Sequence, residues 1–128
     1  MTRINCVPAK ELTDKHLIAE YRELPRISGL AWGWARRTVY IKYFMDNLPP
    51  KWPTSYILGT NHVRFFYDKG EFLRKRFEEE IVPEMQARGF TTNYTKYRLH
   101  PEGLNQDWTP TEEALALNRE RIAERLAK

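Results

Sequence analysis

Thr2, Glu23 and His16 are the residues whose types and spacing could do chemistry in this 128-residue chain. If Met1 is removed, Thr2 carries a free α-amine. An α-amino group has a pKa near 7.7–8.0, against about 10.4 for lysine. At pH 7 about 10–15% of it is the neutral nucleophile, against about 0.04% of a lysine. Thr2 is small enough for an aminopeptidase to remove the Met before it. The amine is therefore a nucleophile before the fold adds anything, whereas a lysine needs burial or a neighbouring cation to match it.

The residues that follow supply carboxylates on one helix face. Thr13 is a suitable N-cap with Asp14 in the first turn. At 3.6 residues per turn, His16, Glu20 and Glu23 fall within an arc of about 60°. Leu17, Tyr21 and Leu24 form the adjacent apolar stripe. One face is thus expected to pack while its neighbour presents the histidine and both carboxylates; a solvated surface is the plain alternative. The helix rises about 15 Å from Thr13 to Glu23. The arm from Thr2 to Thr13 can extend about 33 Å, so it can lay the amine beside Glu23.

Charge points to a partner. Residues 1–44 hold 8 Lys and Arg against 4 Asp and Glu, whereas residues 45–128 hold 13 of each, so the net +4 lies with the candidate amine. Trp32, Trp34, Tyr40 and Tyr43 surround Arg36, Arg37 and Lys42. Cations interleaved with aromatics suit phosphate contact and base stacking, although some of these rings are expected to be core. Cys6 is the single cysteine, which excludes an internal disulfide and fits a reducing cytoplasm. The histidines and Cys6 have no recognised metal-ligand spacing, and neither a metal nor a cofactor is expected. No segment has membrane-spanning length and no secretory signal is present.

The patterning predicts an all-α fold, a compact single domain over residues 1–128 with about three main helices and long loops. The first helix is expected from about 13 into the mid-30s or 40s, bent at Pro25. Residues 47–53 read as a proline-rich loop. A second helix is expected to start near Thr60 as cap, to be broken by Gly70, and to end at Gly89. Phe66, Leu73, Phe77, Ile81 and Met85 are expected in the core, with residues 78–80 as a solvated acidic face. Residues 91–108 read as irregular. Thr109-Pro110-Thr111-Glu112 predicts the last helix, capped at Thr109 with Pro110 at its first position.

Several blocks together carry a family resemblance. Thr2-Arg3-Ile4-Asn5, His16-Leu17 and Ala19-Glu20-Tyr21-Arg22-Glu23-Leu24-Pro25-Arg26 make up the first. Ile57-Leu58-Gly59, His62-Val63, Phe65-Phe66-Tyr67-Asp68-Lys69 and Glu71-Phe72-Leu73-Arg74-Lys75-Arg76 make up the second, and Gly89-Phe90 follows. The chain resembles the phage pyrimidine-dimer DNA glycosylases with AP-lyase activity, the dimer-excising endonuclease V type. The likeness covers residues 1 to about 90 and is traceable through Pro110 to Arg125.

The resemblance implies that the Thr2 amine attacks C1′ at the 5′ base of a cyclobutane pyrimidine dimer, forming a Schiff base, and that β-elimination cuts the strand. It implies Glu23 as the carboxylate that stabilises the sugar cation and takes the 2′ proton, and His16 as a residue of the elimination step. Arg3, Arg22 and Arg26 match phosphate-binding positions, and Arg121 and Arg125 match basic DNA contacts on the last helix. The expected partner is double-stranded DNA containing pyrimidine dimers or abasic sites, bound by a monomer. The chain departs from the phage pattern in three places: a longer loop from about 30 to 53 with Trp32, Trp34 and Trp52; no aromatic, basic tail up to Lys128; and Phe77 where the phage enzyme has a polar residue near its DNA surface. A non-catalytic helical DNA-binding module and a small helical interaction protein are the other classes that the sequence allows.

Overall fold

The computed structural model describes residues 4–45 and 52–126, with backbone only for 38–45. Helix α1 spans Asp14–Glu23, and the Thr13 hydroxyl accepts from the His16 amide at 3.3 Å, capping it as expected. Leu17 and Tyr21 of the apolar stripe are buried. Pro25 has no amide to continue the ladder, so the chain turns at Leu24-Pro25 and restarts as α2, Arg26–Met45. The expected loop from about 30 is thereby corrected. Residues 30–45 are helix, because no proline interrupts them and Gly29 and Gly33 are tolerated. Most of the 47–53 loop lies outside the described residues.

The second helix begins later than expected. Gly59 (φ 77°) and Asn61 (φ 73°) make a left-handed turn closed by His62 N–H on Gly59 O at 3.1 Å. Thr60 therefore caps nothing, and only a 3₁₀ turn, Val63–Phe66, follows. Gly70 does not break a helix; it opens α3, Gly70–Lys75. A Cβ there would overlap Asn105 Oδ1. The loop lies that close because it satisfies the free amides of α3: Gly70 N–H donates to Leu104 O at 3.0 Å and Phe72 N–H to Gln106 O at 3.3 Å. Glycine is there for close approach.

From α3 the rod continues through a π-helical stretch, Arg76–Ile81, into α4, Val82–Ala87. Two features of the sequence favour the wider turn. Pro83 lacks an amide and would crowd the carbonyl four residues back in an α-helix. The apolar residues Leu73, Phe77, Ile81 and Met85 recur every four positions, which drifts about 40° per step at α-helical pitch; the wider turn cancels that drift. All four, with Phe66, are buried as expected. Phe77 stacks with Tyr21 and Tyr94 and is buried in the core. Of the acidic run, Glu79 and Glu80 are exposed, but Glu78 is half-buried and accepts from the Tyr97 amide at 2.9 Å. The rod ends at Gly89 (φ 83°), with Phe90 N–H on Met85 O.

Residues 91–108 are irregular as expected, with one isolated bridge between Lys69 and Asn105. Helix α5, Glu112–Leu126, starts two residues later than expected. Thr111 is its cap, accepting from Ala114 N–H at 3.0 Å. Residues 108–110 stay outside the helix while Trp108 packs against Tyr56, Phe65 and Phe72. Trp34 and Trp52 also serve the interior, edge to face at 4.6 Å. The fold is an all-α compact single domain with long loops. No helix among the described residues is long and apolar enough to cross a membrane.

Candidate active site

The N-terminal arm, α1 and α5 enclose a groove of about 420 Å³. Helix α1 contributes His16 and Glu23; α5 contributes Arg121 and Arg125; Asn5 comes from the arm. Four of the residues expected from sequence, 98 to 109 positions apart across the two helices, thus meet in one cavity. Thr2 and Arg3 lie outside the described residues. Arg22 does not join the groove. It is exposed and lines a smaller hollow with Tyr94, Asn93 and Phe90.

Glu23 and Arg26 are paired across the Pro25 turn, guanidinium to carboxylate at 3.3 Å. The pairing sets a cation at the groove rim without removing the carboxylate from solvent. His16 is half-buried, and its Nδ1 has neither a partner nor solvent contact. Burial, and then the charge of neighbouring Lys15, hold its pKa below the ordinary value of 6.5. At neutral pH the ring is neutral and can take a proton. Lys15, Arg121 and Arg125 make the walls cationic. The site therefore combines an anion-attracting wall with a carboxylate and a neutral imidazole. Among the described residues no cluster of His, Cys, Asp and Glu is placed to hold a metal ion.

The expectation that Glu20 stands beside Glu23 as a second presented carboxylate is overturned. Glu20 belongs to the groove's lining but is buried against Arg76, whose Nη2 donates to Glu20 Oε1 at 2.9 Å. Burial works against the guanidinium charge, but the Glu20 charge and hydrogen bonds outweigh it and raise the Arg76 pKa. Sequence reasoning missed Arg76, which is concealed within Arg74-Lys75-Arg76. Its spacing of three and four from Leu73 and Phe72 was the available signal, because it places Arg76 on the core face. Asn118, Asn5 and His62 were also missed, and they hold the arm. Cys6 is buried, which pushes its thiol up to about 11 and leaves it no thiolate at neutral pH.

The aromatic-basic segment is divided. Trp32 donates to Leu99 O at 2.9 Å and carries the Arg98 guanidinium 4.6 Å above its ring, while Arg36 and Arg37 face solvent. The side chains of Tyr40, Lys42 and Tyr43 lie outside the described residues.

The family model described as pyrimidine dimer DNA glycosylase matches residues 1–98. That span holds the arm, α1 and the Arg76 partner of Glu20, and it stops before α5, which closes the groove. With this match over most of its 128 residues, the chain belongs to the pyrimidine dimer DNA glycosylase family and is a DNA repair glycosylase acting on DNA.

Proposed function

We propose that the protein excises the 5′ base of a cyclobutane pyrimidine dimer in duplex DNA, and then cuts the strand as an AP lyase. The convergence of His16, Glu23, Arg121 and Arg125 on the groove that Asn5 enters carries this reading. Thr2 is two residues upstream of Ile4, whose amide is anchored on His62 at 2.9 Å. Two residues reach about 7 Å, so the amine's range is limited to the neighbourhood of the arm's buried end.

In this mechanism the neutral Thr2 amine attacks C1′, the C1′–N bond breaks and the base departs with the bonding pair. The sugar ring opens and the C1′ adduct becomes a protonated imine. That cation acidifies the 2′ hydrogens. Glu23 takes one of them, the electrons shift toward the imine, and the C3′–O bond breaks to release the phosphate. His16, neutral and lining the cavity, accepts and returns protons during elimination. Arg3, Arg22, Arg26, Arg121 and Arg125 hold phosphates. The protein is proposed to act as a monomer.

Borohydride trapping tests the reading. Protein with Thr2 exposed should give a reduced covalent adduct on dimer-containing and abasic duplexes, and protein with a blocked N-terminus should not. Absence of any adduct, with duplex binding retained and neither base release nor strand cleavage detected, would make the chain a non-catalytic DNA-binding module.

A further inference from the structure

The arm from Ile4 to Val7 is held in an unusual way. Its backbone groups bind four side chains brought from three distant parts of the chain. The Ile4 amide donates to His62 Nε2 at 2.9 Å, and Ile4 O accepts from the Tyr56 hydroxyl at 3.1 Å. The amides of Cys6 and Val7 both donate to Asn118 Oδ1, at 2.7 and 3.1 Å, and Val7 O accepts from Arg76 Nη1 at 2.7 Å. The side chain of Asn5 completes the chain of bonds: its Oδ1 accepts from Asn118 Nδ2 and its Nδ2 donates to Glu20 Oε1, both at 2.8 Å.

Asn118 is the central member. It is buried in the middle of α5, where asparagine is a poor helix former, and both ends of its amide are used on the arm. Two consecutive amides on one oxygen, with the preceding Asn5 locked to the same side chain, allow only one register. A slip of one residue would move everything upstream by about 3.3–3.6 Å.

We infer that Asn118 and His62 are positioning residues, setting the register of the arm and hence the place of the amine at its end. This rests on the assignment of the Thr2 amine as nucleophile. A displacement near 1 Å can cost about 100-fold in rate without touching binding made elsewhere. The arrangement also gives α5, outside the matched family span, a part in the chemistry.

The test uses matured full-length protein, checked for folding by circular dichroism. Single-turnover borohydride trapping on a true abasic duplex is compared with affinity for a duplex carrying an unreactive tetrahydrofuran abasic analogue. Asn118→Leu and His62→Phe should each slow trapping about 100-fold, with analogue affinity kept within about twofold. His62→Gln, which can offer an oxygen where Nε2 accepts, should recover at least about tenfold over His62→Phe. Folded Asn118→Leu or His62→Phe protein that traps at the wild-type rate overturns the inference alone. So does a loss of affinity equal to the loss of rate, or equal rates for the Gln and Phe variants. Wild-type protein that gives no adduct, or gives one undiminished by a blocked N-terminus, overturns the Thr2 assignment and the inference with it.

Discussion

Arg76 and Glu20, 56 positions apart, form a buried ion pair at the centre of the molecule, with side-chain exposures of 1% and 0%. Two guanidinium nitrogens meet two carboxylate oxygens, and the third nitrogen holds Val7 O at 2.7 Å. A pair this buried gains little over a well-packed apolar pair, but losing one partner leaves an uncompensated charge. The pair therefore joins α1, the helical rod and the N-terminal arm at a single point.

Arg76→Met is expected to lower unfolding free energy by about 3–5 kcal/mol, because Glu20 is left buried without a countercharge. The double variant Glu20→Leu with Arg76→Met should recover much of that loss. Urea denaturation of the three proteins measures it. Equal stability of the single and double variants would mean that the loss comes from packing and not from the stranded charge.

Glu23→Gln and Glu20→Gln should fail differently. Glu23 borders the groove, so its amide variant should keep stability and DNA binding and lose about 10²–10⁴-fold in strand cleavage. Glu20 is bonded to Arg76 and Asn5, so its variant should be less stable. Cleavage and melting, measured on both, separate a base from a structural carboxylate.

Much of this architecture was legible as pattern. The Thr13 cap, the break at Pro25, the Gly89 stop and the Leu73-Phe77-Ile81-Met85 stripe are local rules that the fold obeys. The failures arose where a distant segment decided. Gly70 reads as a breaker until Asn105 lies against it. Thr109 reads as a cap until Trp108 is drawn into the aromatic cluster. Glu20 reads as a surface carboxylate because helical angle places it near Glu23, and only the approach of Arg76 buries it. His16 and Glu23 read as neighbours from sequence because both stand on one short helix, and both line the groove. Asn118 was not, because nothing within α5 signals an arm 113 positions away.

Gly70→Ala tests the first of those long-range effects. The new methyl would overlap Asn105 Oδ1, which also accepts from the His100 amide at 2.8 Å. Displacing that side chain should cost about 1–3 kcal/mol despite the better helix propensity of alanine. A gain in stability would show that the loop yields freely.

Acid should weaken the fold through two buried histidines. His62 accepts from Ile4 N–H on Nε2, so its proton is on Nδ1, donated to Ile57 O at 2.7 Å. His100 is held by Tyr67 O at 2.7 Å and the Tyr97 hydroxyl at 2.6 Å. Burial, the leading cause for both, holds each pKa below 6.5. The unfolded chain then takes protons that the folded chain refuses. Stability is complete above pH 6.5 and falls as pH drops through that value toward the lowered folded pKa. Each histidine contributes up to about 1.4 kcal/mol per pH unit in that window. Urea unfolding from pH 7.5 to 5 should show the fall, and His62→Gln should remove part of it. A pH-independent midpoint would contradict the buried neutral assignment.

Arg26 and Arg125 allow the phosphate role to be separated from the catalytic one. Arg26 reaches the groove through its bond to Glu23 at 3.3 Å, whereas Arg125 lines the α5 wall directly. Each phosphate contact on duplex DNA contributes about 0.9 to the slope of log affinity against log salt, through released counterions. Arg125→Ala should therefore flatten that slope by about one unit on damaged and intact duplex alike, and leave single-turnover cleavage at saturating protein almost unchanged. Arg26→Ala should flatten the slope equally and also change saturated cleavage, because it removes the cation from the groove's carboxylate. Titrations at several salt concentrations, each paired with a saturated cleavage rate, check both statements. A loss confined to damaged duplex, with the slope unmoved, would transfer Arg26 from phosphate binding to lesion recognition.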